Sequence, residues 1–223
     1  MGTTPYAVSR PASSALAANR LIRNTYLLLS MTLLFSAVTA GVSIALNWPF
    51  MGPLVTLGGY FGLLFLTTRL RNSAWGLAAI FALTGFMGLT LGPMINAYLH
   101  AFSNGAQLVM MAMGGTGAIF LGLSAYAMTT RKDFSFMGGF IMVGVLVAFL
   151  AGIGALIFNL PMLSLAVSAM FMLLMSGFIL FETSNMVHGY ETNYIMATVS
   201  LYVSIYNLFT SLLHLLGAFA GED

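Results

Sequence analysis

Charged side chains are scarce along this chain. Its 223 residues include seven lysines and arginines and five aspartates and glutamates, so charged residues make up 5% of the sequence. A soluble domain has roughly 25%. Hydrophobic residues reach 60%, and so few charged groups cannot supply the solvated surface that a soluble protein of this length needs. The sequence therefore predicts a surface that is covered by lipid.

The apolar residues form seven long runs, which indicate membrane-spanning helices. Lipid requires every backbone polar group to be bonded within the protein, so a span is either a helix or a strand of a closed barrel. Barrel strands alternate apolar and polar residues, whereas these runs are continuous and about 20 residues long, the length of a spanning helix. We predict an all-α membrane protein with spans at residues 25–46, 50–68, 75–99, 106–129, 136–158, 162–181 and 194–217.

The basic residues predict the orientation of the spans. They are Arg10, Arg20, Arg23, Arg69, Arg71, Arg131 and Lys132. They fall before the first span, between the second and third, and between the fourth and fifth, which places them on one side of the membrane. Because cytoplasmic segments carry the excess of lysine and arginine, we expect residues 1–24 to be a cytosolic tail. Residues 25–217 then form the seven-helix transmembrane domain, and residues 218–223 form a short external tail.

The usual signatures of catalysis and of nucleotide or nucleic-acid binding are missing. The chain has no cysteine, and His100, His188 and His214 lie in separate predicted elements, so no three-ligand zinc site is predicted. Ser176-Gly177 lacks the glycine two positions before the serine that an intramembrane serine protease motif carries. Phosphate-binding glycine loops are absent, and no clustered basic face suits nucleic acid. We therefore predict no enzyme activity, no resident cofactor and no nucleic-acid partner.

Many of the 24 glycines recur at a spacing of four residues with other small residues. Such rows allow close approach between the backbones of membrane helices. The rows are Gly58 and Gly62, Gly88 and Gly92, Gly114–Ala118–Gly122, and Gly144–Ala148–Gly152. They predict tight packing within the bundle, with a dimer interface as the alternative; the sequence does not give the oligomeric state.

Glu182 is the first candidate functional residue, because it follows the sixth apolar run directly. An ionisable group at membrane depth is costly and marks a functional site by default. The polar residues that follow leave a second interpretation open, in which Glu182 is a solvated helix end. Arg69 and Arg71 of the second-to-third connection are its candidate partners.

A polar stripe on the seventh span is the second candidate. The residues recur at intervals of four, three, four and three, which places them on one helix face. They are Ser200, Ser204, Asn207, Ser211 and His214. The stripe predicts either side-chain hydrogen bonds within the bundle or the wall of a polar cavity or ion path, with Tyr202 and Tyr206 on the neighbouring face.

Several motifs resemble the Bax inhibitor family. Residues 76–99 read GLAAIFALTGFMGLTLGPMINAYL and residues 112–120 read AMGGTGAIF. The runs RKDFSF at 131–136, LFETSN at 180–185 and LYVSIYNLF at 201–209 are also similar to that family. The resemblance extends over nearly the whole chain and is closest to the bacterial YccA branch.

The family resemblance implies a bundle of seven transmembrane helices with the last helix central. It also implies passive leak of calcium, gated by two facing acidic residues of the sixth and seventh helices. Glu182 occupies the first position, and a weak calcium site there is implied, but Ser204 stands at the second position, where the family has aspartate. Serine does not titrate, so a paired-carboxylate calcium sensor is in doubt for this chain.

The YccA branch implies a different role, in the bacterial inner membrane. Its members modulate a membrane-anchored ATP-dependent protease of the FtsH type, and are also its substrates. Two hypotheses therefore stand: a protein that binds and inhibits such a protease, and a calcium or cation leak channel. The missing acid at Ser204 favours the first.

Overall fold

The computed structural model describes residues 12–221, and every regular element in that part of the chain is an α-helix. The helices are α1 Ala12–Ala45, α2 Gly52–Leu70, α3 Trp75–Ala101, α4 Gly105–Thr130, α5 Met137–Ile157, α6 Pro161–His188 and α7 Tyr194–Ala220. Each is long and apolar enough to cross a membrane. The predicted fold class is confirmed, and the chain is a multi-pass membrane protein.

Two helices, α1 and α6, extend beyond the predicted spans by seven residues or more, and α7 continues past residue 217 to Ala220, within the expected external tail. The first begins at Ala12 instead of residue 25, because Leu21 and Ile22 pack against the hydrophobic core and continue the apolar face. The expected tail of residues 1–24 is therefore helical from Ala12, and its earlier part lies outside the described residues. The sixth helix continues past residue 181 to His188 and ends where Gly189 takes a left-handed conformation with φ of 78°. Glu182 consequently lies inside α6, more than one turn before the helix ends.

Helix α7 is the central helix of the bundle. It packs against α1, α3, α4 and α6, and it contributes many of the most deeply buried side chains, including Leu201, Tyr202 and Leu208. The most extensive contact elsewhere joins α1 to α3, and α5 packs against α6. Helix α2 packs extensively against α3 and is otherwise the most peripheral element.

The glycine rows divide into two kinds. A Cβ at Gly88 or Gly92 would overlap Ser36, Thr39 or Ser43 of α1, and one at Gly144 would overlap Leu174 of α6. These rows pack helices together, as the sequence predicted.

The other two rows face outward. Nothing lies within 4 Å of a Cβ built at Gly58 and Gly62 on α2, or at Gly114 and Gly122 on α4. These rows lie on the outer surface of the bundle instead of in its helix contacts. A dimer interface there stays a prediction.

Pro93 lies inside α3 and leaves one carbonyl group of that helix without its usual donor. Proline has no N–H, so the carbonyl of Leu89, four residues earlier, has no donor within its own helix. The hydroxyl of Ser43 on α1 donates to that carbonyl at 2.9 Å. The α1–α3 contact therefore combines close backbone packing at Gly92 with the repair of a broken helix bond.

Candidate functional site

Three connections meet at one end of the bundle: α2–α3, α4–α5 and α6–α7. We call this the basic end, because Arg69, Arg71, Arg131 and Lys132 all lie there. Side-chain hydrogen bonds join the connections, so this end of the bundle is held as a unit.

Ser184 joins the last turns of α6 to the α4–α5 connection. Its hydroxyl accepts from the main-chain N–H of Phe134 at 3.0 Å and donates to the carbonyl of Lys132 at 3.1 Å. One turn later, Nε2 of His188 lies 3.1 Å from the carbonyl oxygen of Arg131. Because Ser184 is fully buried, these bonds hold the connection tightly against the helix.

Asn193 joins the α6–α7 connection to the α2–α3 connection. Its side-chain amide donates to the carbonyl of Arg71 at 3.1 Å and to the side chain of Asn72 at 2.9 Å. Its side-chain oxygen accepts from the N–H of Met196 at 3.0 Å and so caps the first turn of α7. Glu191 accepts from the N–H groups of Thr192 and Asn193. Its carboxylate thus shapes the same connection.

Asp133 fixes the shape of the α4–α5 connection. It accepts from the main-chain N–H of Ser135 at 2.9 Å and from the hydroxyl of Tyr190 at 3.1 Å. These hydrogen bonds, that of Ser135 first, hold the pKa of the Asp133 carboxyl below its ordinary value. Asp133 therefore stays ionised, and keeps accepting both bonds, at neutral pH.

Glu182 is buried inside α6 and has an unsatisfied oxygen. The side chain is 5% exposed, and its Oε1 atom has no hydrogen-bond partner among the described residues. Buried polar atoms nearly always have a partner, so each exception calls for an explanation. The interpretation of Glu182 as a solvated helix end is wrong, because α6 continues past it to His188 and its side chain is buried in the bundle.

Other unsatisfied oxygens lie in the same part of the bundle. The hydroxyls of Thr25, Tyr26, Ser124 and Thr183 are buried and have no hydrogen-bond partner among the described residues. Thr25 and Tyr26 lie toward the start of α1, and Ser124 lies in the last two turns of α4, so all are in the half of the bundle nearest the basic end. Helix α6 packs against both α1 and α4. Glu182 thus shares its end of the core with four other unpaired oxygens.

The polar stripe of α7 faces the bundle, but its members do not form one polar cavity. Ser204 is fully buried and donates to the carbonyl of Ser200 in its own helix at 2.8 Å. His214 bonds through Nδ1 to the hydroxyl of Ser168 on α6 at 2.7 Å. Ser211 is buried, and Asn207 lines a cavity between helices. Hydrogen bonding within and between helices describes Ser204 and His214 better than an ion path does.

The expected partners of Glu182 are not joined to it. The side chains of Arg69 and Arg71 are exposed at the basic end, and neither bonds to Oε1 of Glu182. The hydroxyl of Ser204 is used within its own helix. The described structure therefore gives Glu182 no bonded cation, and the acid that lies within electrostatic range of it is Glu191 of the α6–α7 connection. No group of three His, Cys, Asp or Glu side chains among residues 12–221 could hold a metal ion.

Tyr202 joins three helices at the centre of the bundle. Its hydroxyl lies 2.6 Å from that of Ser36 on α1 and 3.3 Å from the carbonyl of Thr84 on α3. Tyr206 is similarly placed 3.3 Å from the hydroxyl of Thr90 on α3. The sequence indicated that these tyrosines add hydroxyls beside the stripe, but nothing in it identified Ser36, Thr84 or Thr90 as their partners.

The comparison with protein families agrees with this arrangement. Residues 18–221 match the model of the family described as inhibitor of apoptosis-promoting Bax1. The matched segment begins within the first helix and ends just after the last. It therefore contains all seven spans.

Individual relatives match over similar lengths. A protein of Escherichia coli (strain K12) named "Modulator of FtsH protease YccA" is 51% identical over 215 residues, which cover 96% of this chain and 97% of the relative. Its counterpart in Escherichia coli O6:H1, named "Inner membrane protein YccA", matches equally well. An uncharacterised protein of Pseudomonas aeruginosa is 53% identical over 91% of this chain and 90% of its own length. The chain belongs to the Bax inhibitor family.

Proposed function

We propose that this chain binds and inhibits a membrane-anchored ATP-dependent protease of the FtsH type in the bacterial inner membrane, and that it is itself a slow substrate of that protease. One observation carries the proposal: the 51% identity, over nearly the full length of both chains, to the Escherichia coli protein whose name describes it as a modulator of FtsH. The counterpart named as an inner membrane protein supports the location.

The packing of α1 is consistent with slow degradation. An ATP-driven protease removes a membrane substrate by pulling one segment out of the bundle. The N-terminal part of α1 lies near the α6–α7 connection, where Leu16, Arg20 and Thr192 border the same surface depression. Pulling from there would have to separate α1 from α3, its most extensive contact. The close packing of Gly88 and Gly92 on α1 opposes that separation.

A substrate that resists extraction can act as an inhibitor. While the protease holds a chain that it unfolds slowly, it cannot process another client. Inhibition then needs no separate inhibitory site, because it follows from the stability of the bundle. The joined connections at the basic end add to that stability, since Ser184 and Asn193 each join two parts of the chain.

Capture by a protease variant that cannot hydrolyse ATP tests this proposal. Such a variant engages substrates but does not unfold them, so we expect it to retain the full-length chain when both are reconstituted in the same liposomes. A membrane protein of similar size from an unrelated family serves as the negative control. If the variant captures a known client but not this chain, the proposed function is wrong.

A calcium or cation leak is the second candidate, and it rests on Glu182. A buried carboxylate oxygen without a partner is one of the oxygen ligands that calcium prefers. The absence of a second acid at Ser204 makes this candidate weaker than the first.

Calcium flux into liposomes that contain the purified chain tests the leak. A channel that uses Glu182 should carry flux in the wild-type chain and lose it in Glu182→Gln, which keeps the shape and removes the charge. Ser168→Ala, which removes an inter-helix bond near the opposite end of α6, is the control. Wild-type flux no greater than that of protein-free liposomes excludes the leak.

A further inference from the structure

A cavity of about 680 Å³ lies between α2, α3, α5, α6 and α7, near the middle of the membrane-spanning part. Tyr60 and Asn207, which line it, lie near the midpoints of α2 and α7. Its volume is within the range of small-molecule sites, about 300–1,000 Å³. Asn207 is the one lining residue that also belongs to the polar stripe of α7. The cavity is therefore distinct from the site around Glu182.

The cavity opens sideways toward lipid, between α2 and α5. Met142, Val143 and Leu146 of α5 line it, yet their side chains are 78%, 63% and 59% exposed. Helix α2 packs extensively against α3. The rings of Phe61 on α2 and Phe149 on α5 meet across the opening, with their centroids 6.3 Å apart. A molecule dissolved in the membrane can therefore enter without passing through water.

A second cavity of about 310 Å³ adjoins the first toward the opposite end from the basic residues. The two cavities share Thr56, Leu57, Thr90 and Tyr206 in their walls. The smaller one reaches the α1–α2 turn at Pro49 and the first turn of α2 at Pro53. Together they form a path from the membrane surface to the bundle middle, which suits a long thin ligand.

The walls favour a hydrocarbon chain over an ion or a polar molecule. Most of the lining is aromatic, aliphatic or methionine, and none of it is charged. Of the polar groups, the hydroxyls of Thr90 and Tyr206 lie within hydrogen-bonding distance of each other, and Asn207 donates to the carbonyl of Val203. The walls therefore leave few hydrogen-bonding groups for a ligand to satisfy.

A protein helix does not fit between α2 and α5 without displacing the two rings. Phe61 and Phe149 contact each other edge to face there, with their centroids 6.3 Å apart, whereas a helix with its side chains is about 10 Å across. A single acyl chain is much thinner and can pass beside the rings. Because lipid tails are as apolar as leucine, the gain on entry comes from dispersion contacts with walls that otherwise lack neighbours.

We propose that the two cavities bind one acyl chain of a phospholipid, with its headgroup beside the α1–α2 turn. The smaller cavity is lined by no basic residue, so we infer a headgroup without net charge, as in phosphatidylethanolamine. The bound chain fills the space between α2 and α5 and so holds the peripheral helix α2 to the bundle.

Photo-crosslinking tests the site. The full-length chain is placed in nanodiscs of phosphatidylethanolamine and phosphatidylglycerol with a trace of phosphatidylethanolamine that carries a diazirine on one acyl chain. After illumination, we expect adducts on Phe149 and Val203, which line the cavity, to exceed those on the exposed Met110 and Met113 of α4 about tenfold. Equal labelling of both sets shows only surrounding lipid and overturns the proposal.

Two variants at the opening and one matched control make the test specific. Leu146→Trp and Val143→Trp should block entry and lower the cavity adducts about tenfold. Leu150→Trp is the control, because Leu150 is on the same helix, is also 59% exposed and does not line either cavity. All three positions face outward, so folding should tolerate them, and a melting curve checks this.

The remaining outcomes also decide the matter. Unchanged adducts in both opening variants overturn the site. If the same diazirine on phosphatidylglycerol labels Phe149 and Val203 more strongly, the inferred neutral headgroup is wrong. Added phosphatidylethanolamine should raise the melting temperature of the wild-type chain more than that of Leu146→Trp.

Discussion

At the scale of single residues, hydroxyls complete hydrogen bonds that the helices leave open. Ser43 donates to the carbonyl that Pro93 cannot serve, and Ser184 supports two main-chain groups of a connection. An unsatisfied backbone group in hydrocarbon is unfavourable, so these serines have a structural reason to be buried. Glu182 differs from them, because its Oε1 oxygen is buried without a donor.

Ser43→Ala tests the repair of the α3 hydrogen bond. Loss of the hydroxyl leaves the carbonyl of Leu89 without its donor, and we expect about 1 kcal/mol of lost unfolding free energy. Reversible unfolding in mixed micelles measures it. Ser30→Ala is the control in the same helix, since that hydroxyl is exposed and bonds only to its own helix. Equal effects of the two substitutions would contradict the special role of Ser43.

Ser204→Asp tests what the missing acid does. The substitution restores a carboxylate at the position where the family has one, and should strengthen calcium binding together with Glu182. Because carboxylates bind calcium in their ionised form, flux or binding should increase as pH rises. Isothermal titration and liposome flux measure this, and the double variant with Glu182→Gln should lose the gain. A wild-type chain that already shows a strong pH-gated leak would contradict the paired-carboxylate account for this sequence.

At the scale of helices, the number, order and type of the elements could be predicted from the sequence, because long apolar runs have one structural solution in lipid. The start of α1 and the end of α6 could not. Polar residues such as Thr183 and Asn185 resemble a connection, yet they continue α6 because no glycine or proline interrupts the helix before Gly189. The cavity was also beyond prediction, since it depends on how far α2 stands from α5.

Gly92→Ala and Gly114→Ala distinguish the two kinds of glycine row. A methyl group at Gly92 overlaps Ser43 of α1, so we expect a loss of about 1–3 kcal/mol from overpacking. At Gly114 the space is open, and replacing glycine inside a helix should stabilise by up to about 1 kcal/mol. Unfolding free energies give both values. A loss of stability at Gly114 would indicate instead that another chain packs against α4.

At the scale of the whole molecule, the two ends of the bundle differ. The basic end carries the lysine and arginine residues of the described chain and connections joined by Ser184, Asn193 and His188. The opposite end carries the turns at Asn47 and Asn159, both in left-handed conformations, and the smaller cavity. We infer that the basic end faces the cytoplasm, where lysine and arginine accumulate.

Reporter fusions test this orientation. Fusions after Asn72 and Lys132 should report a cytoplasmic location, because both residues lie at the basic end. Fusions after Asn104 and Asp223 should report an external one, since an odd number of spans separates them from the basic end. A cytoplasmic reading after Asp223 would contradict the predicted orientation of the C-terminus.

The most direct test of the proposed function follows two degradation reactions in one sample. The protease, a model client and this chain are reconstituted together, and both substrates are quantified over time. We predict that client degradation slows on addition of the chain and recovers as the chain is consumed, because a slowly extracted substrate occupies the protease. Client degradation that proceeds at the same rate with and without the chain would contradict the account.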